Sequence, residues 1–423
     1  MSEAIVAVRA REVWDSRGLP TIEAEVVTAG GAVGRAIAPA GASTGRREAI
    51  ELRDGGARLG GLGVREAVAR VAATVEPALR GRSVLDQAGA DAVLDGLDSD
   101  PQRSWIGGNT TTAVSLAVAH AAAASEGLPL WARLDADAVR LPRPQIQILG
   151  GGAHAAHRVA VQDFMAYPIA ATTMADALSD VAEVYRAVGD VLRRRGAPRG
   201  VADEGGHWPE VADTRDALQV LVDGIQLAGL RPGADMAIAL DIAATQFHSE
   251  GRYRVGGVEY DTAAWIGELA ALCADFPVAT VEDPAGEDDP EGMAMAVRSF
   301  DAMVVGDDFL VTDAARVTSA AEDAQIGAAL IKVNQAGTVS RAAAAVDAAR
   351  TAGAAVIVSA RSGETEDVSV AHLATGWRAD VVKVGSITRG ERTAKWNELL
   401  RIDEARGGLP LADPIGPLRA TAR

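Results

Sequence analysis

The sequence predicts an α/β chain in which a C-terminal βα barrel follows a smaller N-terminal α+β domain. Three observations carry that prediction. From about residue 200 onward, short apolar, β-branched runs recur. Each ends in a charged or polar residue, then Gly or Pro, then an alanine-rich stretch of helical character. Three of the residues that end these runs, Glu282, Asp307 and Lys332, stand 25 positions apart. The segment before residue 137 reads differently, with strand-like alternation first and long helical patterns after it.

Residues 4–9 and 21–27 alternate apolar and polar side chains, as half-buried antiparallel strands do. Helical patterns run from Val64 to Leu79 and from Thr111 to Glu126. These elements define an N-terminal α+β capping domain over 1–137. The Leu141-Pro142-Arg143-Pro144 stretch leads into a barrel domain over 138–423. Its strands are read at Ile238–Asp241, Val278–Asp283, Met303–Asp308, Ala329–Lys332, Val356–Ser359 and Val381–Lys383. Helical stretches such as Ser340–Ala352, stopped by Gly353, fill the gaps. Strands alternating with helices at this period predict a parallel sheet, and so many units favour closure. In such barrels the chemistry sits at the C-terminal ends of the strands, where these charges fall.

Composition limits the function classes. The 423 residues are 48% hydrophobic and 23% charged, with a formal net charge of −17. A surface this acidic does not suit a phosphate backbone, so no nucleic-acid partner is expected. Cys273 is the one cysteine, which excludes an internal disulfide and fits a reducing compartment. The N-terminus carries no basic segment followed by an apolar one, and no run approaches the roughly 18 apolar residues of a membrane helix. A cytoplasmic enzyme with no membrane partner is the expectation.

Among 41 basic residues only Lys332, Lys383 and Lys395 are lysines. A lysine kept in so arginine-rich a chain points to something arginine cannot do, and losing its proton in a buried site is one such property. Lys395, in Thr393-Ala394-Lys395-Trp396-Asn397, reads equally well as a surface residue. Lys332 and Lys383 end strands near Asp241, Glu282 and Asp307. Three carboxylates converging at a barrel mouth are hard oxygen ligands of the kind Mg²⁺ takes. A lysine among metal ions is pushed toward its neutral form and can accept a carbon-bound proton. The resulting carbanion then needs positive charge beside its carboxylate. Arg361 and Ser362 follow another strand and suit an oxyanion or phosphate clamp. The Gly41-Ala42-Ser43-Thr44-Gly45 segment reads as a glycine-hinged loop that offers a hydroxyl, or as a plain surface loop.

Strings along the whole chain resemble the enolase family. They include Asp15-Ser16-Arg17-Gly18, Gly41-Ala42-Ser43-Thr44-Gly45, Glu51-Leu52-Arg53-Asp54 and Gly151-Gly152-Ala153-His154-Ala155. Further along come Asp203-Glu204-Gly205-Gly206, Val305-Gly306-Asp307-Asp308, Lys332-Val333-Asn334-Gln335 and Ser362-Gly363-Glu364-Thr365-Glu366-Asp367. The resemblance spans about residues 4–404. It implies Lys332 as the base and Glu204 as the acid at the leaving hydroxyl. It implies Asp241, Glu282 and Asp307 as ligands of a first Mg²⁺, with Ser43 reaching a second. Arg361 and Ser362 match phosphate contacts, Lys383 a carboxylate-side lysine, and His154 a substrate-contacting histidine. The substrate implied is a small phosphorylated or phosphonylated carboxylate, and the assembly implied is a homodimer or larger homo-oligomer.

Two positions depart from the family pattern inside this constellation. Gln-Glu-Phe-Met is Gln162-Asp163-Phe164-Met165 here, so the substrate-side carboxylate of Asp163 is one methylene shorter. Ser-His-Arg-Ser is Ser359-Ala360-Arg361-Ser362, so an imidazole is missing. Nearby, Gly-Gly-Phe has become Gly205-Gly206-His207 and Ser-Glu-Phe has become Thr245-Gln246-Phe247. His207 either replaces the missing imidazole in part or lies on the surface. Three functions fit: dehydration of 2-phosphoglycerate with drift in the pocket; a specialised relative resembling carboxyphosphonoenolpyruvate synthase of phosphinate antibiotic pathways; or an idle enolase fold that only binds.

Overall fold

The computed structural model describes residues 2–196 and 200–416. An antiparallel sheet opens the chain: β1 (Ile5–Trp14), β2 (Pro20–Thr28) and β3 (Val33–Ile37), in that order. The alternation expected for the first two strands is present, but both run further than periodicity indicated. The helix Gly108–Glu126 packs on this sheet and is buried almost all round. It is built of Ala, Thr and Ser because it is sandwiched: a Cβ on Gly34 of β3 would lie 2.1 Å from the Ala117 carbonyl oxygen. On its other side, Ser115 Oγ accepts the Val339 amide of the barrel at 2.9 Å. A small-residue helix is thus the spacer between sheet and barrel.

Eight strands close the barrel. They are β4 (Arg143–Gly150), β5 (Asp163–Pro168), β6 (Met236–Asp241), β10 (Val278–Glu282), β11 (Met303–Gly306), β12 (Ala328–Ile331), β13 (Ala355–Ser359) and β14 (Val381–Ser386). Between β6 and β10 stands a small antiparallel sheet of β7 (His248–Ser249), β8 (Arg252–Val255) and β9 (Val258–Tyr260). The barrel is not wholly parallel, contrary to the sequence expectation. Strand β5 runs antiparallel to both β4 and β6. The connection from β4 to β5 contains only the 3-10 turn Gly152–Ala155 where a crossover helix would stand, so the chain reverses. Two helices, Met174–Arg194 and Thr214–Leu227, then separate β5 from β6. Each is capped at its start by Thr173 or Asp213, whose side-chain oxygen accepts the amide three residues on.

The lower barrel is filled. Met165, Tyr167, Ala239, Val305, Leu330 and Ile357 pack into one apolar cluster inside it. Within it Gln145 Nε2 donates to Thr280 Oγ1 at 3.1 Å, and the strand-end acids and lysines converge above it, at the C-terminal ends of the parallel strands. Among the described residues, no helix is long and apolar enough to cross a membrane. Cys273 is buried in the helix Thr262–Asp275, and burial pushes its thiol up to about 12. Native protein at pH 8 is accordingly expected to resist iodoacetamide and to take up one carbamidomethyl group per chain only after unfolding, as intact-mass spectrometry would read.

Candidate active site

The parallel strands carry their charges as the sequence pattern requires. Asp241 and Glu282 are the last residues of β6 and β10; Asp307 and Lys332 follow directly after β11 and β12. Lys383 differs from its expected place: β14 continues three residues beyond it, and its ammonium reaches the mouth from inside the strand. All five side chains are almost wholly enclosed.

Two ammonium groups organise the acids. Lys383 Nζ lies 2.8 Å from both Asp241 Oδ2 and Glu282 Oε2, and 3.5 Å from Asp163 Oδ2. Burial opposes its charge, but these carboxylates outweigh burial and raise its pKa well above the usual value. Lys332 pairs with Asp307 Oδ2, and there too Asp307 overcomes burial and raises the lysine. Asp307 Oδ1 accepts the Gln335 amide at 2.8 Å, and Thr312 holds Gln335 in turn. Gln335 belongs to a quoted string, but no pattern in the sequence marked it or Thr312 as supports of this carboxylate.

The donor set suits a hard cation. Glu282 Oε1 is buried without a hydrogen-bond partner, and burial, with Asp241 beside it, pushes this carboxyl well above the ordinary range, so a bound cation would supply the partner and charge the site lacks. Asp241 offers one oxygen to Lys383 and also accepts the Gln162 amide at 3.1 Å. A tighter acidic group, Asp283, Asp307 and Asp308, has ligand atoms within 4.8 Å of one another. It reads as structural at Asp283, whose two oxygens accept the backbone amides of Asp307 (2.9 Å) and Asp308 (2.7 Å). Burial, with Asp307 beside it, pushes Asp308 up to about 7.

The Gly152–Ala155 turn delivers His154 to the same site. Its Nδ1 lies 2.9 Å from Asp163 Oδ1 and its Nε2 3.8 Å from Glu204 Oε1. Burial disfavours the imidazolium, but Asp163 and Glu204 raise it to about 9. Burial lifts Glu204 above the ordinary carboxylate range, with His154 opposing that lift and Asp163 adding to it. The raised imidazole stabilises the fold fully below its unfolded value and loses that contribution as pH rises through about 9. In metal-free protein the His154 ring signal is thus expected to titrate near 9 by NMR. A midpoint near 6.5 would contradict the Asp163 pairing.

Arg361 and Ser362 lie just beyond β13. Arg361 Nη1 donates to Glu48 Oε2 at 2.8 Å, and Nη2 donates to the Ser43 carbonyl at 2.9 Å. A Cβ on Gly41 would lie 1.9 Å from that guanidinium, so the loop needs glycine there. Ser362 Oγ accepts the Ala42 amide at 2.5 Å. The loop 41–45 is therefore docked on the clamp, and Ser43 lines the cavity. Glu48, the main partner of Arg361, carries no motif or spacing signal in the sequence. These groups meet at one small cavity, lined by Ser43, His154, Glu204, Lys332, Ala360 and Lys383.

His207 takes neither place offered for it. It stacks on Tyr185 at 4.0 Å between ring centres and bonds the Tyr185 carbonyl, packed beneath the helix Met174–Arg194. It is not among the residues lining the cavity. Thr245 and Gln246 keep supporting roles: Thr245 Oγ1 accepts the Glu287 amide, and Gln246 Oε1 accepts the Ala153 amide next to His154.

Comparison with known proteins shows the family. Residues 5–134 match the family model "Enolase, N-terminal domain", and 138–410 match "Enolase, C-terminal TIM barrel domain". The chain belongs to the enolase family. A protein named Enolase from Acidothermus cellulolyticus (strain ATCC 43068 / DSM 8971 / 11B) is 44% identical over 403 residues, covering 95% of this chain and 94% of that one. This enolase-family chain is thus an enzyme of the carbon–oxygen lyase type, with the mixed barrel described above.

Proposed function

We propose that the chain removes the C2 proton of 2-phosphoglycerate, or of a close analogue, and expels the β-hydroxyl to give an enolpyruvyl product. The observation that carries this reading is that Lys332, Lys383, Glu204 and His154 line one cavity together. Lys332 and Lys383 stand among carboxylates, and the raised acid Glu204 lies 3.8 Å from His154. Lys332 is the base: the C2 proton passes to its amine once Asp307 no longer holds it charged. Glu204 gives its proton to the leaving hydroxide, which departs as water. Lys383 lies on the carboxylate side, Arg361 and Ser362 bind phosphate, and His154 and Asp163 line the substrate. Asp241, Glu282 and Asp307 would hold one Mg²⁺, and Ser43 would reach a second. Bound Mg²⁺ supplies the positive charge that engages these carboxylates and stabilises the carbanion's carboxylate.

The capping domain over 1–137, the barrel over 138–423 and assembly as a homodimer or larger belong to the same reading. The direct test is incubation of the chain with Mg²⁺ and 2-phosphoglycerate while enolpyruvyl absorbance is followed. No absorbance and no binding of the compound would refute the reading. Metal dependence has its own check. At ten times its Kd, Mg²⁺ should add about 1.4 kcal/mol of stability. Asp307→Ala is expected to abolish that increment in calorimetry, together with metal-dependent activity; unchanged Mg²⁺ affinity would remove Asp307 from the ligand set.

A second reading keeps the half-reaction and changes the substrate. Ala360 leaves the cavity wall without an imidazole, and Asp163 is turned onto His154. Both changes suit a ligand with a larger group beside the leaving oxygen, as in a carboxyphosphonoenolpyruvate synthase-like enzyme.

A further inference from the structure

The third lysine is not on the surface. Lys395 is fully buried on the helix Gly390–Ala405, and so is Arg392, three residues earlier on the same face. Two enclosed cations on one helical turn carry a large desolvation cost unless each is closely met by acceptors. Each is met by acceptors that, apart from the Val384 carbonyl of β14, belong to the segment that carries the clamp, and only Arg392 Nε is left without a hydrogen bond. Lys395 Nζ lies 3.0 Å from Glu364 Oε2 and donates to the Thr365 carbonyl at 2.5 Å. The other oxygen, Glu364 Oε1, accepts the Arg361 amide at 3.0 Å. Arg392 donates to the carbonyls of Arg361 (2.6 Å), Val384 (2.9 Å) and Ser362. Its guanidinium is also 3.9 Å from Glu204 Oε1.

Local backbone geometry supports the same arrangement. Gly385, at φ +109°, is the place where β14 lets Arg392 and Glu204 approach. A Cβ there would stand 2.9 Å from Arg392 Cδ and 3.1 Å from Glu204 Cβ. From above, the same segment is gripped by the N-terminal loop, since the Gly363 and Ala40 amides and carbonyls pair reciprocally. The clamp is thus held between the loop above it and two buried cations below it.

We propose that Lys395 and Arg392 are positioning residues. Acting through Glu364 and the backbone carbonyls, they fix the Arg361–Ser362 clamp and the carboxylate of Glu204 in reacting geometry. The inference rests on the clamp and acid roles given above. It also gives lysine a reason to be kept at 395 in a chain that otherwise writes arginine: a compact ammonium meets one carboxylate oxygen and one carbonyl.

The test uses the full chain with Mg²⁺. Lys395→Met strips Glu364 of its partner and risks the fold, so Lys395→Met/Glu364→Met, which leaves no unpaired charge, is measured beside it. Amide exchange over 361–365 should become at least tenfold faster in the folded variants. KM for 2-phosphoglycerate should rise at least tenfold, with kcat changing less. In an Arg361→Ala background the same substitutions should add nothing to KM, because they act through that residue. Arg392→Lys, whose single head cannot span three carbonyls, should speed exchange over the same segment. Unchanged exchange in the folded variants, or KM effects that multiply with Arg361→Ala, would overturn the proposal. So would loss of the fold in both Lys395 variants, which would make the pair a stability element. If Arg361→Ala itself leaves KM unchanged, the clamp role fails instead, and the exchange measurement still judges the positioning pair.

Discussion

Lys332→Ala is expected to lower kcat for 2-phosphoglycerate about a thousandfold, within the range that removal of a positioned general base produces. The proton at C2 should at the same time stop exchanging with deuterated water, because the group that accepts it is gone. Lys332→Arg separates base from charge. It keeps a cation opposite Asp307 but cannot give up its proton, so it should be as inactive as the alanine variant. A charge-only role for Lys332 predicts the opposite, an active arginine variant. The structure explains why the base needs company to work. Asp307 outweighs burial and holds Lys332 charged, so proton acceptance depends on engaging that carboxylate elsewhere. Lys332→Ala also leaves Asp307 enclosed without its ammonium, so circular dichroism should accompany the kinetics to show that the fold is kept. Exchange at the native rate in a folded alanine variant would assign the base to another group.

The barrel was legible because its signal is local and repeated. Each parallel strand is a short β-branched run that ends in a charge, and the 25-residue spacing of Glu282, Asp307 and Lys332 is the length of one βα unit. Strand β5 broke the pattern because direction is set by the connection, and a 3-10 turn leaves little trace in composition. Extent was legible only in part. Strand β1 runs on to Trp14, since Arg9 and Arg11 pair with Glu25 and Glu23 on one face and Glu12 meets Arg58 on the other. Lys395 was ambiguous for a different reason. Its burial follows from Glu364 and Thr365, about 30 residues earlier and on the far side of a strand, and no periodicity reports such a pairing. Glu48 and Thr312 belong to the same class: their roles exist only once the loop 41–45 and the strand ends have met.

Asp163→Glu combined with Ala360→His is expected to raise hydratase turnover about a hundredfold, with little change in C2 proton exchange. The argument begins at the leaving oxygen. Glu204, the proposed acid, shares its cavity with Ala360, where a methyl group occupies a wall that an imidazole could complete. Asp163 cannot help, because Oδ1 is committed to His154 Nδ1 and to the Gln147 amide. Its Oδ2 faces Lys383 at 3.5 Å. One added methylene would carry the carboxylate out of that grip and toward the cavity. Removing one preorganised polar group from a site of developing charge typically costs about 3 kcal/mol, roughly a hundredfold in rate, and restoring one should recover a similar amount. Lys332 pairs with Asp307 and with neither of the two substituted residues, so proton abstraction should be nearly indifferent to the double substitution. The unmodified enzyme should then handle 2-phosphoglycerate slowly, with water loss limiting, and should favour a ligand with a bulkier group beside the leaving oxygen. Steady-state kinetics on both proteins, with deuterium exchange measured in parallel, reads all three quantities. Native turnover already on the order of tens per second would defeat this expectation, because a pocket short of its support at the leaving oxygen could not reach an ordinary enzymatic rate. Asp163 and Ala360 would then be neutral replacements in a pocket whose remaining groups suffice for the elimination.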